Sequence, residues 1–185
     1  MSDINEQKKL ASELAAKLWA MANELRGTME AYEFKNYILG LIFYKHLSDK
    51  TEAFLIEAFE HDDITYEEAW EDEELREELA DDMLESLGFV MEPKYLFPNV
   101  IKMVNADTFT IDYMEEIIAS ITDSTIGRDS EEDFKGLFED MDLKSSKLGR
   151  ELKQRGKLIG RILKQIDSIS FEMGGTDVDI LGTAY

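Results

Sequence analysis

The most chemically pointed stretch of the sequence is basic. Residues 144–164 contain Lys144, Lys147, Arg150, Lys153, Arg155, Lys157, Arg161 and Lys164 against one acid, Glu151. This run is strongly positive in a chain whose formal total is −21. Lys153, Lys157, Arg161 and Lys164 step by four, four and three, which sets them on one helix face, and Arg150 lies three before Lys153. Cations in such a row can meet successive phosphates. Each neutralised phosphate adds to the salt dependence of binding and positions a duplex without reading its bases. The candidate DNA contacts are therefore Arg150, Lys153, Arg155, Lys157, Arg161 and Lys164. A solvated helix face that pairs with the acids of residues 71–82 accounts for the same pattern equally well.

Other chemistry is excluded more readily than found. There is no Walker-type phosphate loop and no HExxH. Without cysteine there is no disulfide framework, thiolate nucleophile or Cys metal site. Of the two histidines, His46 falls within a long helical pattern and His61 lies among acids. A zinc site would need carboxylates to complete it, and no spacing suggests one. Acidic pairs are too numerous to single out a general acid and base. "FEMGG" (171–175) has the look of a cofactor-binding turn but follows no expected parallel strand, so it reads as a loop. No catalytic, cofactor-binding or metal-ligating residue is assigned.

The elements that must position the basic row are helical. The chain has 185 residues, 44% of them hydrophobic, and only two prolines, Pro93 and Pro98. Those features and the scarcity of alternating runs predict an all-α fold. We expect an irregular orthogonal helical bundle of about six to seven helices, with room for one very short hairpin near residues 89–91. The N-terminus has no signal-peptide character and no apolar run is long enough to span a bilayer, so a cytoplasmic protein without membrane contact is expected.

Leu10, Leu14, Leu18, Met21 and Leu25 predict a first helix, closed by Gly27. A second runs from about Met29 to near Phe59. Phe34, Tyr37, Ile38, Leu41, Ile42 and Tyr44 cover most of its circumference, so it should be the central one, with Gly40 allowing a close helix crossing. Residues 60–85 hold 14 acids and one Arg, with Leu75, Leu79, Met83 and Leu87 as a narrow apolar stripe. That pattern is a helix with a solvated acidic face, or less readily a DNA mimic or a dock for a basic partner. Pro93 suits the first turn of a short helix that Pro98 ends. Thr110 caps a helix with Ile111, Met114, Ile117, Ile118 and Ile121 on one side. "SEED" (130–133) resembles a capping box ahead of Phe134, Leu137, Phe138 and Met141. The last full helix is expected from about Ser146 to Ser168, with Leu148, Leu152, Ile159, Ile162, Leu163 and Ile166 inward.

Taken together these residues resemble a family. Leu18, Trp19, Leu25, Arg26, Gly27, residues 39–43, Ser48 and Asp49 are similar to the N-terminal segment of type I restriction-modification DNA methyltransferase subunits. Phe89 and Pro93, "FKGLF" (134–138) and the tail "DVDILGTAY" (177–185) extend the resemblance in order from about residue 10 onwards.

The resemblance implies a helical N-terminal domain over residues 1–173. Residues 174–185 would begin the linker or helix into a catalytic domain. It implies a parent enzyme that transfers methyl from S-adenosylmethionine to adenine N6 in DNA. It also implies a specificity subunit, a second methyltransferase subunit and a restriction subunit as partners, closing around double-stranded DNA. The family's Asn-Pro-Pro-Tyr/Phe signature and glycine-rich cofactor turn have no counterpart here, since the chain contains no Pro-Pro and no strand–Gly-rich–helix unit is expected. These 185 residues alone are expected to bind no S-adenosylmethionine. The competing class is a standalone acidic helical protein-interaction module or DNA mimic.

Overall fold

The computed structural model describes residues 16, 17, 20 and 31–168. The expected first helix lies outside the described residues except for Ala16, Lys17 and Ala20, which are helical, and so does the tail 174–185. Among the described residues there are seven α-helices, two 3-10 turns and no strand.

Helix α1, Ala31–Ala58, is the centre of the bundle. Tyr37, Ile38, Leu41, Ile42, Tyr44, Leu47 and Leu55 are buried on it. At 3.6 residues per turn they cover roughly 220° of its circumference. It packs against α4 (Phe97–Asn105), α6 (Glu131–Glu139) and α7 (Leu152–Asp167). A Cβ on Gly40 would sit 2.7 Å from Met141 Sδ. The close approach expected there is therefore made to a methionine side chain and not to another helix.

The acidic segment forms two helices where the sequence suggested one, α2 (Tyr66–Glu71) and α3 (Glu73–Ser86). Thr65 and Glu68 form a capping box for α2. Asp72 ends α2 in an extended conformation and its carboxylate accepts the N–H groups of Glu74 and Leu75, which starts α3. Leu79 and Met83 are buried, while Leu75 faces solvent.

Residues 87–92 form no strand or hairpin. Hydroxyls take the backbone groups that a ladder would use: Ser124 accepts the Val90 N–H, and Ser130 and Tyr66 donate to the carbonyls of Gly88 and Met91. Pro93 opens a 3-10 turn, Pro93–Tyr95. Pro98 does not end a helix; it lies in the first turn of α4, where a missing N–H costs nothing. Helix α5, Ile111–Ser124, begins at Thr110, whose hydroxyl accepts the Tyr113 N–H at 3.1 Å.

The capping box expected at Ser130 does not form. Ser130 is helical at φ −81°, ψ −7°, and its hydroxyl is directed to the Gly88 carbonyl. The expected last helix is also interrupted. A 3-10 turn, Ser146–Leu148, is followed by Gly149 at φ +151°, and α7 starts only at Leu152, capped by the Glu151–Gln154 box. Leu148 is buried as expected, but Leu152 is 56% exposed because it stands before the buried face of α7 begins.

Candidate nucleic-acid interface

Helix α7 has two unlike faces. Gly156, Leu158, Ile159, Gly160, Ile162, Leu163 and Ile166 are buried, whereas Lys153, Lys157, Arg161 and Lys164 are exposed. The structure thus brings four of the six candidates together. They occupy roughly 80° of arc and about 16 Å along the axis. A duplex carries a charge every ~1.7 Å of axis, so a row of that length spans several phosphates.

The other two candidates are placed elsewhere. Arg150 is exposed on the turn before α7, beyond Glu151. Arg155 is half-buried, on the side of α7 away from the row, and its Nε donates to the Gly149 carbonyl at 2.8 Å. Its guanidinium fastens the start of α7 to the turn before it.

The three lysines of the row are not paired with the acidic segment. Helix α7 packs chiefly on α4, α5 and α1, and α3 packs chiefly on α2. Among the described residues, Lys153, Lys157 and Lys164 make no ion pair with residues 71–82. The nearby Lys147 pairs instead with Glu33 of α1.

A groove of about 250 Å³ runs between the C-terminal end of α4 and α7. Gly156 and Gly160 lie along its α7 side, with Val104 and Phe109 opposite. Lys157, Arg161, Lys164 and Asp107 complete its lining. The glycines set its depth. A Cβ on Gly156 would lie 3.2 Å from the Ile111 nitrogen, and one on Gly160 would lie 3.2 Å from Val104 Cγ1. With hydrogen at both positions α7 seats against the start of α5, and its cations border the groove.

Sequence reasoning did not select Asp107 or the two glycines. The Gly-x-x-x-Gly spacing at 156 and 160 is a helix-packing signal, and Asp107 stands at the kind of helix end where a left-handed residue is common. Neither histidine joins the groove: His61 is exposed in the turn after α1 and His46 is half-buried within α1. No group of three or more potential metal ligands is found among the described residues. No described helix is long and apolar enough to cross a membrane.

Comparison with known proteins places these features in context. The sequence model of the family described as "HsdM N-terminal domain" matches residues 14–166. The chain is 33% identical over 177 residues to the type I restriction enzyme MpnII methylase subunit of Mycoplasma pneumoniae, covering 91% of this chain and 33% of that protein. It also resembles the crystal structure of a type I restriction-modification system methyltransferase subunit from Streptococcus thermophilus. That match has a TM-score of 0.77 and 30% identity, and covers 95% of this chain and 37% of that one. The chain spans about a third of the length of the relatives it matches.

Proposed function

The chain belongs to the HsdM N-terminal domain family of type I restriction-modification methylase subunits, and from that premise we propose that it holds DNA for a methylase whose chemistry lies elsewhere. In this reading it is the helical N-terminal part of a longer, cytoplasmic subunit. The longer protein transfers methyl from S-adenosylmethionine to adenine N6. It works with a second methylase subunit, a specificity subunit and a restriction subunit. The domain contributes to assembly and to closing the complex on duplex DNA.

One observation carries the DNA-holding role. Lys153, Lys157, Arg161 and Lys164 form an exposed row on a single helix face, in a chain that is otherwise strongly acidic. Such a row supplies electrostatic, sequence-independent attraction. Base selection would belong to the specificity subunit.

The test is charge reversal in the assembled methylase. Lys153→Glu, Lys157→Glu and Lys164→Glu together should weaken duplex binding at least tenfold at low salt while subunit assembly is retained. Unchanged affinity at low salt would leave a solvated face with no role in DNA binding. Arg155 is left out of this set because its reversal would also detach it from Gly149.

A further inference from the structure

We propose that Asp107 restrains the non-specific DNA affinity of the α7 face, an inference that rests on the reading of that face as a phosphate-contacting row. The residue ends α4. Its N–H bonds to the Val104 carbonyl at 3.2 Å, and the next N–H, of Thr108, bonds to the Met103 carbonyl at 2.9 Å. This is the Schellman pattern, and Asp107 occupies its left-handed position at φ +59°. Among the described residues it is the one non-glycine at positive φ.

Local physics disfavours an aspartate there. Glycine takes a left-handed conformation at least cost, and aspartate, like asparagine, visits it at some cost. A carboxylate at a helix C-terminus also meets the negative end of the helix dipole. Glycine or asparagine would serve the turn better, so the turn does not account for the charge.

The groove does account for it. Asp107 is exposed and shares the groove with Lys157, Arg161 and Lys164. A fixed negative charge among these cations lowers the potential offered to a backbone phosphate. It acts within a Debye length, about 10 Å at 0.1 M salt. Less non-specific attraction makes stable engagement depend more on base-reading contacts made elsewhere in the complex.

The experiment measures binding of a short duplex of arbitrary sequence by the assembled methylase at several salt concentrations. The variants are Asp107→Asn, Asp107→Gly and the double variant Lys157→Gln with Lys164→Gln. Both Asp107 variants should tighten binding about two- to fivefold at low salt, with the gain fading as salt rises. Agreement between them separates charge from backbone strain, since Gly and Asn differ in the cost of the turn. If the lysine variant weakens binding but both Asp107 variants match the parent, the role given to Asp107 is overturned and the phosphate row stands. If the lysine variant also matches the parent, the row is overturned and this inference with it.

Discussion

A Cβ placed on Gly156 would lie 3.2 Å from the backbone nitrogen of Ile111, so α7 and the start of α5 meet with nothing between them. The contact is to backbone, which cannot move aside as a flexible side chain would. It fixes how deeply α7 sits and where its cations emerge.

Gly156→Ala should therefore destabilise the domain, although alanine is the better helix former by about 1 kcal/mol. We expect a net loss of about 1–2 kcal/mol, as in overpacked cores. Gly136 on α6 is the matched control, since a Cβ there meets nothing within 4 Å. Gly136→Ala should gain up to about 1 kcal/mol. Chemical denaturation of the two variants reads both signs, and a gain in both would show that the crossing has room.

The buried Ser48 on α1 accepts the N–H of Phe97 at 2.8 Å. Phe97 is the first residue of α4, where backbone N–H groups have no acceptor within the helix. Ser48→Ala leaves that N–H buried and unpaired, at a cost of about 1–3 kcal/mol. Slower hydrogen exchange at Phe97 in the wild type than in the variant would accompany the loss. Equal stability of the two proteins would contradict this role for the hydroxyl.

Glu52, also on α1, gives a pH dependence. Burial first, then the neighbouring Asp49, raises its carboxyl above the usual carboxylate range, with Lys45 opposing. The folded state therefore holds this proton more tightly than the unfolded state. Its contribution is fully present below the ordinary carboxylate pKa and is lost as pH rises through the raised one. At neutral pH the ionised group is a liability. Glu52→Gln should raise Tm at neutral pH, and the gain should shrink as pH falls toward about 4. A gain that is constant with pH would contradict the assignment.

The sequence was most readable where periodicity and burial agree. The nearly all-round apolar pattern of Tyr37, Ile38, Leu41, Ile42 and Tyr44 marked α1 as central, and those five residues are buried there. Thr110 caps α5 where its type and position indicated. Two of the misses share a cause, a local signal overridden by a partner distant in sequence. Ser130 looks like a cap but is drawn to Gly88, 42 residues away. Pro98 looks like a stop but falls in a first turn whose leading N–H is taken by Ser48.

The site was readable in the same uneven way. Spacing alone grouped Lys153, Lys157, Arg161 and Lys164, because a helix face is a local property. Arg155 came in on charge alone; its offset of two from Lys153 sets it on the far side of α7, where it bonds the Gly149 carbonyl. Asp107 could not be found from spacing, because only packing brings the end of α4 against α7.

That contrast between Lys157 and Arg155 yields a paired prediction. Arg155→Gln removes the hydrogen bond to Gly149 and should cost about 1–2 kcal/mol of stability. Lys157→Gln, at an exposed position, should change stability by less than about 0.5 kcal/mol. Thermal unfolding of the two variants checks the ordering, and the reverse ordering would place Arg155 on the solvent side.

Contact between the exposed row on α7 and DNA phosphates sets the salt dependence of duplex binding by the assembled methylase. Replacing Lys153, Lys157 and Lys164 together with Gln should reduce the slope of log K against log salt by about two to three, near 0.9 for each phosphate no longer neutralised. Arg155→Gln should leave the slope unchanged. A triple variant with the parental slope, or an Arg155 variant that alone lowers it, would show that the row does not meet the phosphates.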